Sequence, residues 1–177
     1  FHIPMQSGSD KILGEMRRKY TKAEYARVIL MIKEYFPLAG IGADIILGYP
    51  GETDDDFEET FEFLKHLPIT HFHPFPFSKR KGTLAAKMGN YIPHETKKTR
   101  VKAIIGLGET KLNMFAEDQV GTSNQVLFEK RNKQGFFEGY TSNFVRVMVI
   151  SDQELKNQIL PVKIIESREG ILNAVLI

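Results

Sequence analysis

One stretch constrains the fold more than any other: Gly42-Ala43-Asp44-Ile45-Ile46-Leu47-Gly48-Tyr49-Pro50-Gly51-Glu52. Its apolar run, Ile45 to Leu47, is continuous rather than alternating, which suits a strand buried on both faces of a parallel sheet. Gly48 breaks the run, and Pro50-Gly51 imposes a turn. Thr53 follows with an acid at Asp56, a helix N-cap signature, and Phe57, Phe61 and Leu64 continue at helical spacing. The segment reads strand, tight loop, helix. In α/β folds that junction lies at the carboxyl ends of the strands, where ligands bind. Neither a G-x-G-x-x-G fingerprint nor a phosphate loop ending in Gly-Lys-Ser/Thr is present. A Gly/Pro turn can serve geometry alone, so the functional reading leans on two further strand ends that carry unusual polar loops.

The first of these opens the chain. Phe1 to Met5 reads as a strand end and Gln6 to Asp10 as a polar loop, with Ser9 or Asp10 capping a short helix through Met16. Thr21, with Glu24 at the capping-box position, starts a second helix. Tyr25, Val28, Ile29, Ile32 and Tyr35 or Phe36 form its apolar face, and Pro37 ends it. The second polar loop, Pro76 to Thr83, follows a strand from Thr70 to Phe75. There His71 and His73 alternate with Phe72 and share a side, but a metal pair lacks a third ligand nearby in the sequence, so no metal site is expected. Leu84 to Met88 reads as one helical turn, and a long helix runs from about Glu95 to Gln119.

Beyond Asn124 the periodicity changes. Five short β-rich runs (Gln125 to Glu129, Phe136 to Tyr140, Phe144 to Ile150, Leu160 to Glu166, Ile171 to Ile177) are separated by turn signals. They predict a small antiparallel, OB-like barrel. The fold class is therefore α/β followed by a β-barrel, with domains at 1–120 and 121–177 and the boundary near Val120 to Ser123.

Composition narrows the function classes. Hydrophobic residues make up 42% and charged residues 26%, as in ordinary globular proteins, and no apolar run is long enough for a bilayer. No signal peptide is evident, and a cytoplasmic location is expected. There is no cysteine, so the chain offers neither disulfides nor thiolate ligands. A first residue other than Met, inside an apparent strand, leads us to expect a piece of a longer protein. Charge is uneven: eight acids and no Lys or Arg lie between Gly40 and Leu64, whereas nine basic residues face two acids between Pro76 and Asn113. The latter can recognise phosphates, although Lys97 to Lys111 reads better as a solvated helix face.

Three blocks together carry a family resemblance. His2-Ile3-Pro4-Met5-Gln6-Ser7-Gly8-Ser9-Asp10 with Met16-Arg17-Arg18-Lys19-Tyr20-Thr21 is the first. Asp44 to Thr53 is the second, and Phe75-Pro76-Phe77-Ser78-Lys79-Arg80-Lys81-Gly82-Thr83 through Met88 is the third. In order and spacing the chain resembles the radical-SAM methylthiotransferases, and its last fifty-odd residues, including Glu138 to Phe144, resemble the TRAM domain that ends them. The resemblance implies the second half of a partial radical-SAM (β/α) barrel followed by an RNA-binding TRAM barrel. It implies an enzyme, inactive as this piece alone, that inserts a methylthio group into a hypermodified adenosine beside the tRNA anticodon. The substrate that fits best is N6-threonylcarbamoyladenosine. The implied cofactors are S-adenosylmethionine (SAM) and two [4Fe-4S] clusters, whose Cys-x-x-x-Cys-x-x-Cys motif and N-terminal cysteines are absent here, so no metal ligand is expected in this chain. The implied partners are the tRNA anticodon stem-loop and an electron donor. Two alternatives stand beside this: a relative acting on a ribosomal-protein aspartate, and a non-catalytic RNA-binding module.

Position suggests the roles. Gln6, Ser7 and Gly8 follow a strand and would offer amide, hydroxyl and backbone groups to SAM. Arg18 would hold its methionyl carboxylate, unless it is a helix-end surface cation. Asp44 would orient the ribose or a substrate group, and Gly48 would admit the adenine. Glu52 either joins them or caps its own helix. Ser78 and Arg80 would meet substrate. In the barrel, Lys130, Arg131, Lys133 and Arg146 would contact phosphates, with Phe137, Tyr140 and Phe144 available for stacking unless they are core. Catalytic residues are not identifiable.

Overall fold

The computed structural model describes residues 1–177, which divide into two compact units, Phe1–Gly108 and Glu109–Ile177. In the first unit, β1 (Gly42–Leu47) pairs in parallel with β2 (His71–Pro76), Asp44 lying opposite His73. The segment before Asp10 lies along the other edge of β1: His2 bridges Gly42, Gln6 bridges Ile45, and the Ile3 N–H donates to the Gly42 carbonyl at 2.8 Å. The predicted first strand is thus a parallel pairing reduced to two isolated bridges. Three helices follow the strand-like segments: α1 (Asp10–Glu15), α2 (Lys22–Tyr35) and α3 (Asp54–His66). Both predicted capping boxes form, Thr21 with Glu24 and Thr53 with Asp56, each satisfying amide groups that the first helical turn leaves without partners. The core joins Met5, Tyr25, Ile29, Ile41, Ala43, Ile45, Leu47, Leu64 and Ile104. On β1 the side chains of Ala43, Ile45 and Leu47 are buried, while Asp44 and Ile46 are half-buried. Val28, expected on the buried face of α2, is exposed.

A single 3₁₀ turn at Ala85–Lys87 stands where one helical turn was expected, and α4 runs over His94–Glu117. From Glu109 onward it belongs to the second unit, where Phe115 and Ala116 enter the barrel core. The barrel comprises β3 (Ser123–Arg131), β4 (Phe137–Thr141), β5 (Arg146–Val149), β6 (Ile159–Arg168) and β7 (Ile171–Leu176), closed in the order β3-β4-β5-β7-β6. It is not wholly antiparallel: β5 and β7 run parallel. A closed ring with an odd number of strands cannot alternate direction throughout, so one neighbouring pair must be parallel. No helix is long and apolar enough to cross a membrane.

Candidate functional site

The strand-end loops of the first unit converge on one cleft of about 670 Å³, lined by Gln6, Arg18, Asp44, Ile46, Phe75, Phe77, Ser78, Arg80 and Thr83 among others. Five of the residues singled out in the sequence meet here: Gln6, Arg18, Asp44, Ser78 and Arg80. Gln6 holds a left-handed backbone (φ 71°), pinned because its N–H donates to the Asp44 carbonyl at 2.8 Å and its own carbonyl accepts from Ile46 N–H at 2.9 Å. A non-glycine residue in that region is uncommon and points to a constrained site. The cleft wall is mostly apolar, with an amide, a carboxylate, two hydroxyls and two guanidinium groups at its edge, the composition of a small-molecule site.

Three other sequence candidates are placed differently. Ser7 is buried, and its Oγ lies 3.4 Å from Thr60 Oγ1 and accepts from the Ser9 N–H at 3.2 Å. At Gly8 an added Cβ would lie 2.8 Å from the Thr60 Cα, so the glycine permits α3 to pack closely. Gly48 has φ +73°, and its Cβ position is taken by the stem of Lys97, at 2.2 Å from Cγ. That notch therefore receives a side chain of this chain.

Glu52 does more than cap a helix. It is buried, accepts from the Gly48 N–H at 2.7 Å, and is paired with Arg100 Nη1 at 2.5 Å; Arg100 Nη2 reaches Asp54 at 2.6 Å. Burial pushes the Glu52 carboxyl up, opposed by Gly48 and Arg100. The pair ties the Tyr49-Pro50-Gly51 turn to α4. Arg100, counted within the basic run of that helix, is buried and does not belong to a solvated face. The first loop is pinned similarly: Asp56 accepts from Ser9 Oγ at 3.0 Å and from Lys11 Nζ at 2.6 Å. Burial alone would raise the Asp56 carboxyl, but bonds from Lys11, Thr53 and Ser9 outweigh it and hold the pKa at about 2.

The histidine reading changes. His71 Nδ1 lies 2.7 Å from Thr70 Oγ1, whereas His73 Nδ1 lies 3.7 Å from Asp44 Oδ1, and His2 Nε2 approaches Asp44 Oδ2 at 3.1 Å. Asp44, reached across the sheet, joins His2 and His73, so three potential ligand atoms lie within 4.8 Å of one another where the sequence offered only His71 with His73.

In the barrel, Glu138 gathers the cations. Arg146 Nη2 lies 2.6 Å from its Oε2 and Lys130 Nζ 3.4 Å, and Asn132 Nδ2 donates to Oε1 at 2.9 Å. The bonds from Asn132 and Arg146 hold the Glu138 carboxyl below its usual range. Arg131 Nε donates to the Gly135 carbonyl at 3.1 Å with its guanidinium over the Phe137 ring, while Lys133 is exposed in the hairpin turn. Phe137 is 1% exposed and fills the core, the second of the two places its sequence allowed. Tyr140 and Phe144 are exposed. Their rings stack at 5.1 Å beside a second cleft of about 520 Å³ lined by Gln125, Leu127, Glu129, Thr141, Ser142 and Ile159.

Residues 1–64 match the profile of the Radical SAM superfamily, which implies S-adenosylmethionine and iron–sulfur chemistry. Over 170 residues the chain is 34% identical to the threonylcarbamoyladenosine tRNA methylthiotransferase MtaB of Bacillus subtilis, covering 94% of this chain and 38% of that protein. It is 41% identical over 133 residues to the MtaB of Aquifex aeolicus, covering 75% of this chain and 32% of that protein. It is 35% identical over 179 residues to the tRNA-2-methylthio-N(6)-dimethylallyladenosine synthase of Pelotomaculum thermopropionicum, covering 99% and 40%. The chain belongs to the radical-SAM methylthiotransferase family, and it spans about two fifths or less of the length of these relatives.

Proposed function

We propose that the chain is the later part of a radical-SAM (β/α) barrel followed by a TRAM domain, from an enzyme that places a methylthio group at C2 of N6-threonylcarbamoyladenosine next to the tRNA anticodon. The observation that carries this is the convergence of Gln6, Arg18, Asp44, Ser78 and Arg80 on one cleft at the strand ends. The residues fit a bound SAM: the Arg18 guanidinium suits its carboxylate, and the Gln6 amide and Asp44 carboxylate suit its amine and ribose hydroxyls. When bound, SAM supplies the radical-forming and methyl-donating chemistry. No cysteine is present to hold a cluster, so ligands for two [4Fe-4S] clusters would come from outside this chain. Arg80 and Ser78, on the loop after β2, hold the target nucleoside against the cleft, and Lys133 and Arg131 hold the RNA backbone at the barrel. The electron donor and the anticodon stem-loop are the partners.

The test uses the full-length enzyme. Arg18→Ala should weaken SAM binding by about 1.5–3 kcal/mol, the scale of a hydrogen bond to a charged group, with cluster content unchanged. Arg80→Ala should slow single-turnover methylthiolation more than it weakens tRNA binding. Unaltered SAM affinity in the Arg18 variant would return that residue to a surface role.

A further inference from the structure

We propose that His2, Asp44 and His73 form a binding site for a divalent first-row transition metal, separate from any iron–sulfur cluster. The two imidazoles approach one carboxylate from the strand-like segments on either side of β1. His2 Nε2 stands 3.1 Å from Oδ2 and His73 Nδ1 3.7 Å from Oδ1, with the three ligand atoms within 4.8 Å of one another. A metal with bonds of about 2.0–2.2 Å spaces its ligand atoms roughly 3–3.5 Å apart, so small side-chain rotations complete the set. The backbone fixes this convergence. Asp44 and His73 are register partners across β1 and β2, and His2 bridges Gly42. Gly42 also leaves room for the ring, since a Cβ there would lie 2.9 Å from His2 Nδ1.

The donor set selects the metal. Two imidazoles and one carboxylate suit zinc, cobalt, nickel or ferrous iron, whereas magnesium and calcium prefer all-oxygen sites. Three protein ligands leave coordination positions open, as in reactive rather than purely structural metal sites. The side chains are 47%, 27% and 52% exposed, and Asp44 also lines the cleft, so the three ligands adjoin it and are open to solvent. The absence of cysteine means that metal binding by this chain reports no thiolate site.

The experiment is a titration of the 177-residue chain with cobalt(II), followed by absorption, and with zinc(II), followed by calorimetry. It needs no SAM, tRNA or cluster, so its failure is distinct from failure of the methylthiotransferase reading. One metal should bind per chain and resist excess magnesium. Asp44→Asn and His73→Gln should each weaken binding about 10–100-fold or more, with the circular dichroism spectrum unchanged. His94→Gln, at an exposed histidine beside Glu95, should leave it unaltered. Asp44→Asn is isosteric; if it fails to fold, His73→Gln on the exposed face of β2 decides alone. No saturable binding up to millimolar metal, or binding indifferent to both substitutions, would overturn the proposal and leave three neighbouring side chains without a metal role.

Discussion

The two units hold their cations in different ways. In the α/β unit, Arg18 and Arg80 sit exposed at the rim of the cleft, while the buried Glu52–Arg100 pair and the buried Asp56, held by the exposed Lys11, brace the loops beneath. In the barrel the order is reversed: Lys130 and Arg146 are drawn onto Glu138, and the aromatic pair Tyr140 and Phe144 is left exposed. The difference teaches that a count of basic residues does not locate an anion site. What matters is which cations the fold has already neutralised.

The largest test of this contrast removes a brace. Arg100→Leu leaves the Glu52 carboxylate buried and unpaired, and should cost about 3–5 kcal/mol in urea unfolding. A loss below about 1 kcal/mol would mean that the pair is solvated. Next come two glycines with equally close neighbours. At Gly139 an added Cβ would lie 2.2 Å from the Leu127 carbonyl oxygen, a backbone atom, and Gly139→Ala should destabilise by about 3 kcal/mol, the upper end of overpacking. At Gly48 the neighbour is a flexible lysine stem, so Gly48→Ala should cost only the left-handed backbone penalty of about 1–2 kcal/mol. Equal losses would show that the lysine stem is as fixed as the backbone.

Acid comes third. Asp56 has a folded pKa of about 2 against 3.8, so its contribution is complete above pH 3.8 and disappears as pH falls through that value toward 2. The stabilisation is roughly 2 kcal/mol, and Asp56→Asn should remove that part of the pH dependence. The smallest effect concerns salt. Neutral replacement of Lys130, Arg131 and Lys133 should lower the logarithmic salt slope of tRNA affinity by about two units rather than three, because Lys130 is already paired with Glu138. An unchanged slope would take the hairpin out of the RNA interface.

Local signals were legible in the sequence. Both capping boxes, the buried strand Gly42–Leu47 and five barrel strands follow from spacing and turn residues within a dozen positions. Gln6, Ser78 and Arg80 were legible because each follows a strand-like segment, whereas Asp44 lies within β1 and Arg18, beyond α1, was marked by the family resemblance. What stayed hidden depends on register. His2 and Asp44 are joined only when a parallel pairing is known, and Glu138 meets Arg146 only across the β4–β5 ladder. Phe137 and Tyr140 look alike in sequence, and the irregular register between Phe128 and Lys130 blurs which barrel residues point inward. Arg100 resembled its lysine neighbours on α4, and only Glu52, far upstream, makes it different.

The left-handed backbone at Gln6 has a consequence for engineering. That geometry favours glycine by about 1 kcal/mol, so a screen that rewards heat resistance alone should recover Gln6→Gly as an improvement. The same change deletes the amide at the cleft. Directed evolution of this chain toward robustness would therefore select against ligand recognition at this codon, unless the screen also scores ligand retention.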